Sequence, residues 1–395
     1  MVMTWVAALI VAAPMVALII YTIEVAIGLL PATRRREPAS DMPRCAILMP
    51  AHNEAAGIAE TLSALATVVP PEVRILVVAD NCTDDTAMCA RSAGAEVIER
   101  HDTERRGKGF ALAFGRDALS HDPPEVVIVL DADCQMAPGT ADALCADVMR
   151  SGRPAQAPYR LTAQADASPM VQISNFAMLV KNCARSRGMA RLGDVALLTG
   201  TGMAFPWTLF RDAPLAMGDI TEDLTLGIVF TRAGVPPRFS RGEVTSRAAL
   251  ANDTHTQRVR WEHGFLDTMR RAPALLGSGL LRGKRSLIFL GLHLLVPPLA
   301  MLVALSLASI AAAGALTLFG ASHWPATLLG IALLLMLKVT GAAWIVMGRE
   351  TISIGSIARI PIYILWKLPI YLRFFTGRKE SSWVRTRRQN EDQAG

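Results

Sequence analysis

Two acidic clusters close two apolar runs in this 395-residue chain. Asp80 follows Ile75-Leu76-Val77-Val78-Ala79, and Asp131-Ala132-Asp133 follows Val126-Val127-Ile128-Val129-Leu130. Runs this short and this apolar predict strands buried on both faces of a parallel sheet. Carboxylates at the C-terminal tips of such strands face the crevice where open α/β sheets bind ligands. Two carboxylates two positions apart suit Mg²⁺ or Mn²⁺ shared with phosphate oxygens, and Asp133 is the expected metal ligand. Lys108, between glycines in Arg106-Gly107-Lys108-Gly109, is expected to reach a diphosphate, since the glycines let the backbone come close. Thr221-Glu222-Asp223 opens a further helix. A helix N-terminus keeps Asp223 ionised and ready to act as a general base, with Glu222 as its positioning neighbour. Finally, Gln257, Arg260 and Trp261 fall at i, i+3 and i+4, so an amide, a cation and a flat ring share one helical face.

An early Asp, a DxD, a TED and a QxxRW in this order resemble the signature of the membrane-embedded family 2 glycosyltransferases, the group of cellulose synthase, hyaluronan synthase and chitin-oligosaccharide synthase. The motifs carry the resemblance over residues 44 to 265, and the flanking apolar segments extend it by architecture. It implies an α/β fold of the GT-A type, a single nucleotide-binding unit with a mostly parallel sheet, flanked by transmembrane helices. It also implies an inverting, metal-dependent transfer of sugar from a nucleoside-diphosphate donor, a UDP-sugar by the family's habit, to a growing polysaccharide or a glycolipid. By the same resemblance the turn from Ala51 to Glu54 and Asp80 hold the nucleotide, with Asp80 accepting from uracil N3–H. Asp131 lies near the ribose or the uridine. Gly200-Thr201 belongs to a small-residue loop under the acceptor sugar. Gln257 and Trp261 meet the acceptor, and Arg260 pairs with the leaving diphosphate. His52 stands where the family often has Tyr, which leaves the identity of the base open.

These residues need elements to hold them. Cys45 to Pro50 reads as the first strand, 74–79 as the second, 97–99 as a short third, and 126–130 as the strand before the DxD. Helices are expected over about 55–68, from the Thr83-Asp84-Asp85-Thr86 capping turn to about Gly94, from Arg106-Gly107-Lys108-Gly109 through Ala118, and over 138–151. Strand-helix alternation of this kind predicts a parallel sheet with helices on both faces. Residues 156–160 read as a strand on the acceptor side. Residues 168–190 are apolar at helical spacing, which fits a helix lying on a membrane surface or one packed within the domain.

Composition sets the surroundings. Hydrophobic residues make up 52% of the chain and the mean hydropathy is +0.33, too apolar for an ordinary soluble enzyme. Three runs, 4–30, 286–318 and 324–347, are long enough to cross a hydrocarbon core of about 30 Å. The first carries no basic leader and no small-residue cleavage site, so it reads as a retained anchor. Arg34-Arg35-Arg36 after the first run and Arg282, Lys284 and Arg285 before the second place the intervening domain in the cytoplasm, at a cell membrane, by the positive-inside rule. The expected organisation is an anchor over 1–32, a cytoplasmic GT-A domain over 44–270, two membrane helices over 286–347, and an interfacial helix with a basic tail over 351–395. Within the last, Arg359, Lys367 and Arg373 fall in one arc of about 120°. The tail Trp383-Val384-Arg385-Thr386-Arg387-Arg388 loosely resembles the family's C-terminal gating loop, and a solvated basic tail is the alternative.

The net charge of +6 comes from 40 Lys and Arg against 34 Asp and Glu. Much of the excess lies beside the apolar runs, where it sets topology and meets anionic lipid rather than nucleic acid. Six cysteines without a CxxC pair argue against a zinc site. Three crossings are few for a polymer channel, so oligomerisation or a separate exporter is expected if the product is long. Transfer of a single sugar to a polyprenyl or other lipid is the second reading, though TED and QxxRW stand against it. A transporter or scaffold with a degenerate domain is the third, and the intact Asp133, Asp223 and Arg260 stand against that.

Overall fold

The computed structural model describes residues 1–31, 42–162, 167–216, 221–247 and 251–376, and the side chains of 247 and 251–258 lie outside it. These residues form two compact units. One gathers 42–162, 194–216, 221–247 and 251–257, and the other gathers 1–31, 167–193 and 258–376. The span 44–270 read from composition is therefore interrupted, because 167–193 and the residues from 258 onward group with the helices.

The first unit is α/β. Its strands in chain order are β1 (Cys45–Ala51), β2 (Arg74–Asp80), β3 (Glu96–Arg100), β4 (Val126–Val129), β5 (Cys134–Met136), β6 (Ala155–Gln156), β7 (Tyr159–Thr162), β8 (Met203–Pro206), β9 (Arg238–Phe239) and β10 (Val244–Arg247). Seven of them make one sheet in the order β3-β2-β1-β4-β8-β6-β9, and β5-β10-β7 make a second. β1, β2, β3 and β4 run parallel, while β8 is antiparallel to both β4 and β6. The central strands carry continuous apolar runs because both faces are covered. Ile47, Leu48, Val77, Val78, Val127 and Ile128 have no exposed surface. Phe205, Phe210 and Phe230 close one face, with ring centroids 5.4 and 5.9 Å apart.

The expected strand over 156–160 is in fact two. β6 joins the large sheet and β7 the small one, with Pro158 between them. Proline has no N–H for a ladder, so a break there is the physical outcome.

The second unit is helical. Val2–Leu29, Leu299–Thr317 and Trp324–Gly348 are long and apolar enough to cross a membrane. The apolar run 286–318 is not one helix. It divides into Arg285–Leu294 and Leu299–Thr317 at Pro297-Pro298, where two consecutive prolines remove helix hydrogen bonds. The segment 168–190 forms helix Pro169–Leu179, a π-helical turn Val180–Arg185 and helix Ser186–Gly193. Its π-helical turn and its last helix pack on the first helix. A Cβ on Gly28 would lie 1.9 Å from Ala184 O, and one on Gly188 would lie 1.9 Å from Glu24 O, so only glycine permits this crossing.

Ile360–Phe375 is the expected C-terminal helix, with Pro369 inside it. Its basic arc does not all face outward. Lys367 is buried and donates to Glu262 Oε1 at 2.6 Å. Burial of an ammonium is tolerated only with such a partner. The tail around Trp383 to Arg388 and the cluster Arg34 to Arg36 lie outside the described residues.

Candidate active site

The site begins where β1 and β2 end. Ala51 and Asp80 are their last residues, and both are buried. The turns that follow hold Asn53 and Asn81 at φ of 55° and 52°, a left-handed conformation that Asn accepts more readily than most residues. The two turns are tied together. Thr83 N donates to Asn53 Oδ1 at 2.7 Å, Glu54 N donates to Thr86 Oγ1 at 2.8 Å, and His52 Nδ1 lies 2.6 Å from Asp80 O. Asp80 Oδ1 accepts from Arg100 Nη1 at 2.6 Å and from Asn81 Nδ2 at 2.9 Å. Burial pushes the Asp80 carboxyl above the usual carboxylate range, and the Arg100 guanidinium opposes that rise.

The second group gathers around the loop before β8. Lys108 Nζ donates to Asp131 Oδ1 and, at 2.7 Å, to Gly200 O. Gly200 has φ of 88°, and a Cβ there would lie 3.3 Å from Asp223 Oδ2 and 3.5 Å from Lys108 Nζ. Lys108 and Asp223 therefore crowd one glycine that no larger residue could replace without strain, and Asp131 joins them through its bond from Lys108. Asp223 is the second residue of helix Glu222–Arg232 and accepts from Leu224 N at 2.9 Å. Glu222 Oε2 accepts from Gly109 N at 2.9 Å, which ties the start of helix Lys108–Leu119 to the TED turn.

The electrostatics follow from this crowding. Burial alone would depress the Lys108 ammonium, but Asp131, Glu222 and Asp223 outweigh it and hold the pKa above its ordinary value. Burial, reinforced by Asp223, pushes Glu222 up to about 7, with Lys108 opposing.

Comparison with known proteins now bears on the unit that holds these residues. Residues 46–168 match the family described as Glycosyl transferase family 2. The chain carries a family 2 glycosyltransferase domain. The glycosyltransferase domain is similar to the probable glycosyltransferase YdaM of Bacillus subtilis, at 32% identity over 25% of this chain and 24% of that protein. It is also similar to the uncharacterized glycosyltransferase Rv0539 of Mycobacterium tuberculosis, at 36% identity over 26% of this chain and 42% of that protein. The chain thus spans less than half the length of the curated relatives it matches. The fold is that of the mannosyltransferase PcManGT from Pyrobaculum calidifontis, solved in complex with GDP-Man and Mn²⁺. The TM-score is 0.55 at 19% identity, over 93% of this chain and 99% of that one.

The chemistry of the donors in the glycosyltransferase domain tests whether a divalent cation fits. Asp131, Asp133 and Cys134 bring one ligand atom each within 4.8 Å of one another. Burial, with the charges of Asp133 and Asp131, pushes the Cys134 thiol well up, and its Sγ donates to Asp133 Oδ1 at 3.6 Å. Sulfur is a soft ligand and a carboxylate oxygen a hard one, so the donors suited to Mg²⁺ or Mn²⁺ are the two carboxylates. Hard oxygen donors of this kind fit Mg²⁺ or Mn²⁺, which complete their shells with phosphate oxygens and water.

Thr201 is buried, and its Oγ1 accepts from Asp131 N at 3.1 Å, so it braces the DxD turn. Arg260 and Trp261 belong to the helical unit, on helix Ala251–Met269, and the Gln257 side chain lies outside the described residues. Two supporting residues escaped the sequence reading. Arg100 meets Asp80 because β2 and β3 pair with Asp80 opposite Arg100, a register that only the assembled sheet fixes. Gln156 donates through Nε2 to Ala157 O and Thr201 O, both at 2.8 Å, and accepts from Thr199 N at 2.9 Å. A buried amide at the end of a short strand was the available signal, since it must find such partners.

Proposed function

We propose that the glycosyltransferase domain transfers a sugar from a nucleoside-diphosphate donor, with inversion, to a glycan or lipid acceptor at a membrane, in the manner of the membrane-embedded, QxxRW-bearing group of its family. The observation that carries this reading is the meeting of Lys108 and Asp223 at Gly200, with Lys108 bonded to Asp131 of the DxD pair. Three helices long and apolar enough to span a membrane support the membrane setting.

The donor's base would lie against the turns after β1 and β2, near Ala51, Glu54 and Asp80. Lys108 would meet the diphosphate, exchanging part of its contact with Asp131 for phosphate oxygens. Asp133, with Asp131, would hold Mg²⁺ or Mn²⁺, which supplies positive charge to the departing diphosphate. Asp223 takes the proton of the acceptor hydroxyl as that oxygen bonds to the sugar's C1 and the bond from C1 to the diphosphate breaks. Glu222, anchored on Gly109, fixes the distance between the TED turn and Lys108 and is a positioning residue. Arg260 and Trp261 are assigned to the leaving group and the acceptor by their motif. The proposed organisation keeps an N-terminal membrane anchor and a cytoplasmic catalytic domain.

The test uses purified full-length protein with a panel of UDP- and GDP-sugars. Release of nucleoside diphosphate should require Mg²⁺ or Mn²⁺ and stop in excess chelator. Full turnover in chelator would contradict the role given to Asp133.

A further inference from the structure

Helix Trp324–Gly348 has a packed side and an open side. Leu329, Leu333 and Met336 are buried on the first, where Thr340 shares a 3.0 Å hydrogen bond with Tyr21 of helix Val2–Leu29. The open side carries Lys338, which is exposed. Ile331, Leu334 and Leu335 precede it, and Gly341 follows it, at helical spacings that set all of them on one face. They are exposed as well. A Cβ on Gly341 would meet nothing within 4 Å, so the backbone there is open to a close neighbour. The Lys338 ammonium has no hydrogen bond, ion pair or ring contact with any of the described residues.

Depth decides what such a lysine needs. The helix has 25 residues, about 38 Å at 1.5 Å per residue, and Met336 is its midpoint. Lys338 therefore lies about 3 Å from the centre, and roughly 12 Å inside the nearer edge of a hydrocarbon core of about 30 Å. Its stem, about 6 Å when extended, does not carry the ammonium to the headgroups. A charge at that depth is costly, and ionisable residues in membrane helices are held by an opposite charge or by water in a cavity. Lys338 points outward instead, so its counter-charge has to come from outside the chain.

A second copy does not supply it. Glu24 is the one carboxylate in the three apolar helices, and it is enclosed with Arg185 and His293. A two-fold pairing through this face would also set Lys338 against Lys338. We propose that the face around Lys338 docks a membrane-spanning helix of another protein, one that carries an Asp or Glu at mid-depth. Charge complementarity selects that helix, and the leucines and Gly341 give it a surface to pack on. The proposal rests on the membrane setting of the glycosyltransferase reading and goes beyond it in naming a partner.

Fluorescence energy transfer between the labelled full chain and a labelled peptide in phosphatidylcholine vesicles tests this. The probe is a Leu-Ala peptide that spans the bilayer and has a single central Glu. The same peptide with a central Leu, and one with its Glu moved to an end, are the comparison arms. The central-Glu peptide should associate about 5- to 30-fold more tightly than either, the scale of one polar contact between membrane helices. Lys338→Leu should erase that preference, and Lys338→Arg, which keeps the charge, should retain it. Equal association of the central-Leu peptide would reduce the face to an apolar surface. An unchanged preference in Lys338→Leu would place the site elsewhere. Loss of the preference when anionic phosphatidylglycerol is added would give Lys338 to a headgroup, and Lys338-dependent transfer between two copies of the chain would give the face to self-association. Any of these four results overturns the docking. Alkaline carbonate extraction reports on the membrane setting separately. Release of the chain from the vesicles overturns that setting, whereas a retained chain with no central-Glu preference overturns the docking alone.

Discussion

Two clusters of charge, one in each unit, were built to different ends. In the helical unit Glu24, Arg185 and His293 form a closed network with side-chain exposures of 3%, 5% and 0%. In the α/β unit Lys108 and Asp131 keep 25% and 33% of their side-chain surface. A sealed network among apolar helices has its charges answered from within, so its role is to fix how those helices meet. A half-open pair next to Asp223 can trade one partner for a substrate oxygen. The difference teaches where to look for chemistry in a chain with many buried charges: at the pair that solvent can still reach.

The sealed cluster should give the largest effect on stability. Glu24→Ala leaves Arg185 buried without its carboxylate and should cost about 3–5 kcal/mol, read from unfolding in detergent. Glu24→Ala with Arg185→Met should recover part of that loss, because the two side chains form one coupled pair. Additive losses would break the comparison by making the network two independent residues. Arg100→Met strips Asp80 of its cation. It should cost about 2–3 kcal/mol and also weaken nucleotide binding, because Asp80 ends the strand that faces the donor. Stability loss with unchanged nucleotide binding would assign the Asp80 pair to structure alone.

The mildest effect concerns pH. Glu222 has its folded pKa raised to about 7 from the ordinary 4.5. The buried acid is comfortable when protonated, so its contribution is complete at pH 4 and is lost as pH rises towards and through 7. Glu222→Gln stays neutral and can still accept from Gly109 N. It should flatten this decline and be more stable than the parent at pH 8, by about 1–2 kcal/mol. A parallel decline in both proteins would move the titration elsewhere.

Much of the α/β unit was legible because its strands are continuous apolar runs ended by the residues of interest. Asp80 and the DxD could be placed from Ile75 to Ala79 and Val126 to Leu130 alone. What escaped depends on pairings between distant parts of the chain. Arg100 gives no sign of its partner until β3 is set against β2. Lys367 reads as part of an exposed arc until Glu262, 105 positions away, is brought to it. Hydropathy joined 286 to 318 into one segment because it averages over Pro297-Pro298. The group around Gly200 was half legible. Each member was named from its motif, but the bonds from Lys108 to Asp131 and Gly200 O required the fold.

The central claim is that Asp133 and Asp223 do separate things, one for the donor's metal and one for the acceptor's proton. Nucleotide binding and transfer titrated side by side in Asp133→Asn and Asp223→Asn test it most directly. The account predicts that Asp223→Asn binds the donor normally while transfer falls by at least about 10²-fold, and that Asp133→Asn loses metal-dependent donor binding itself. Near-normal transfer by Asp223→Asn, or loss of donor binding as severe as in Asp133→Asn, would contradict it.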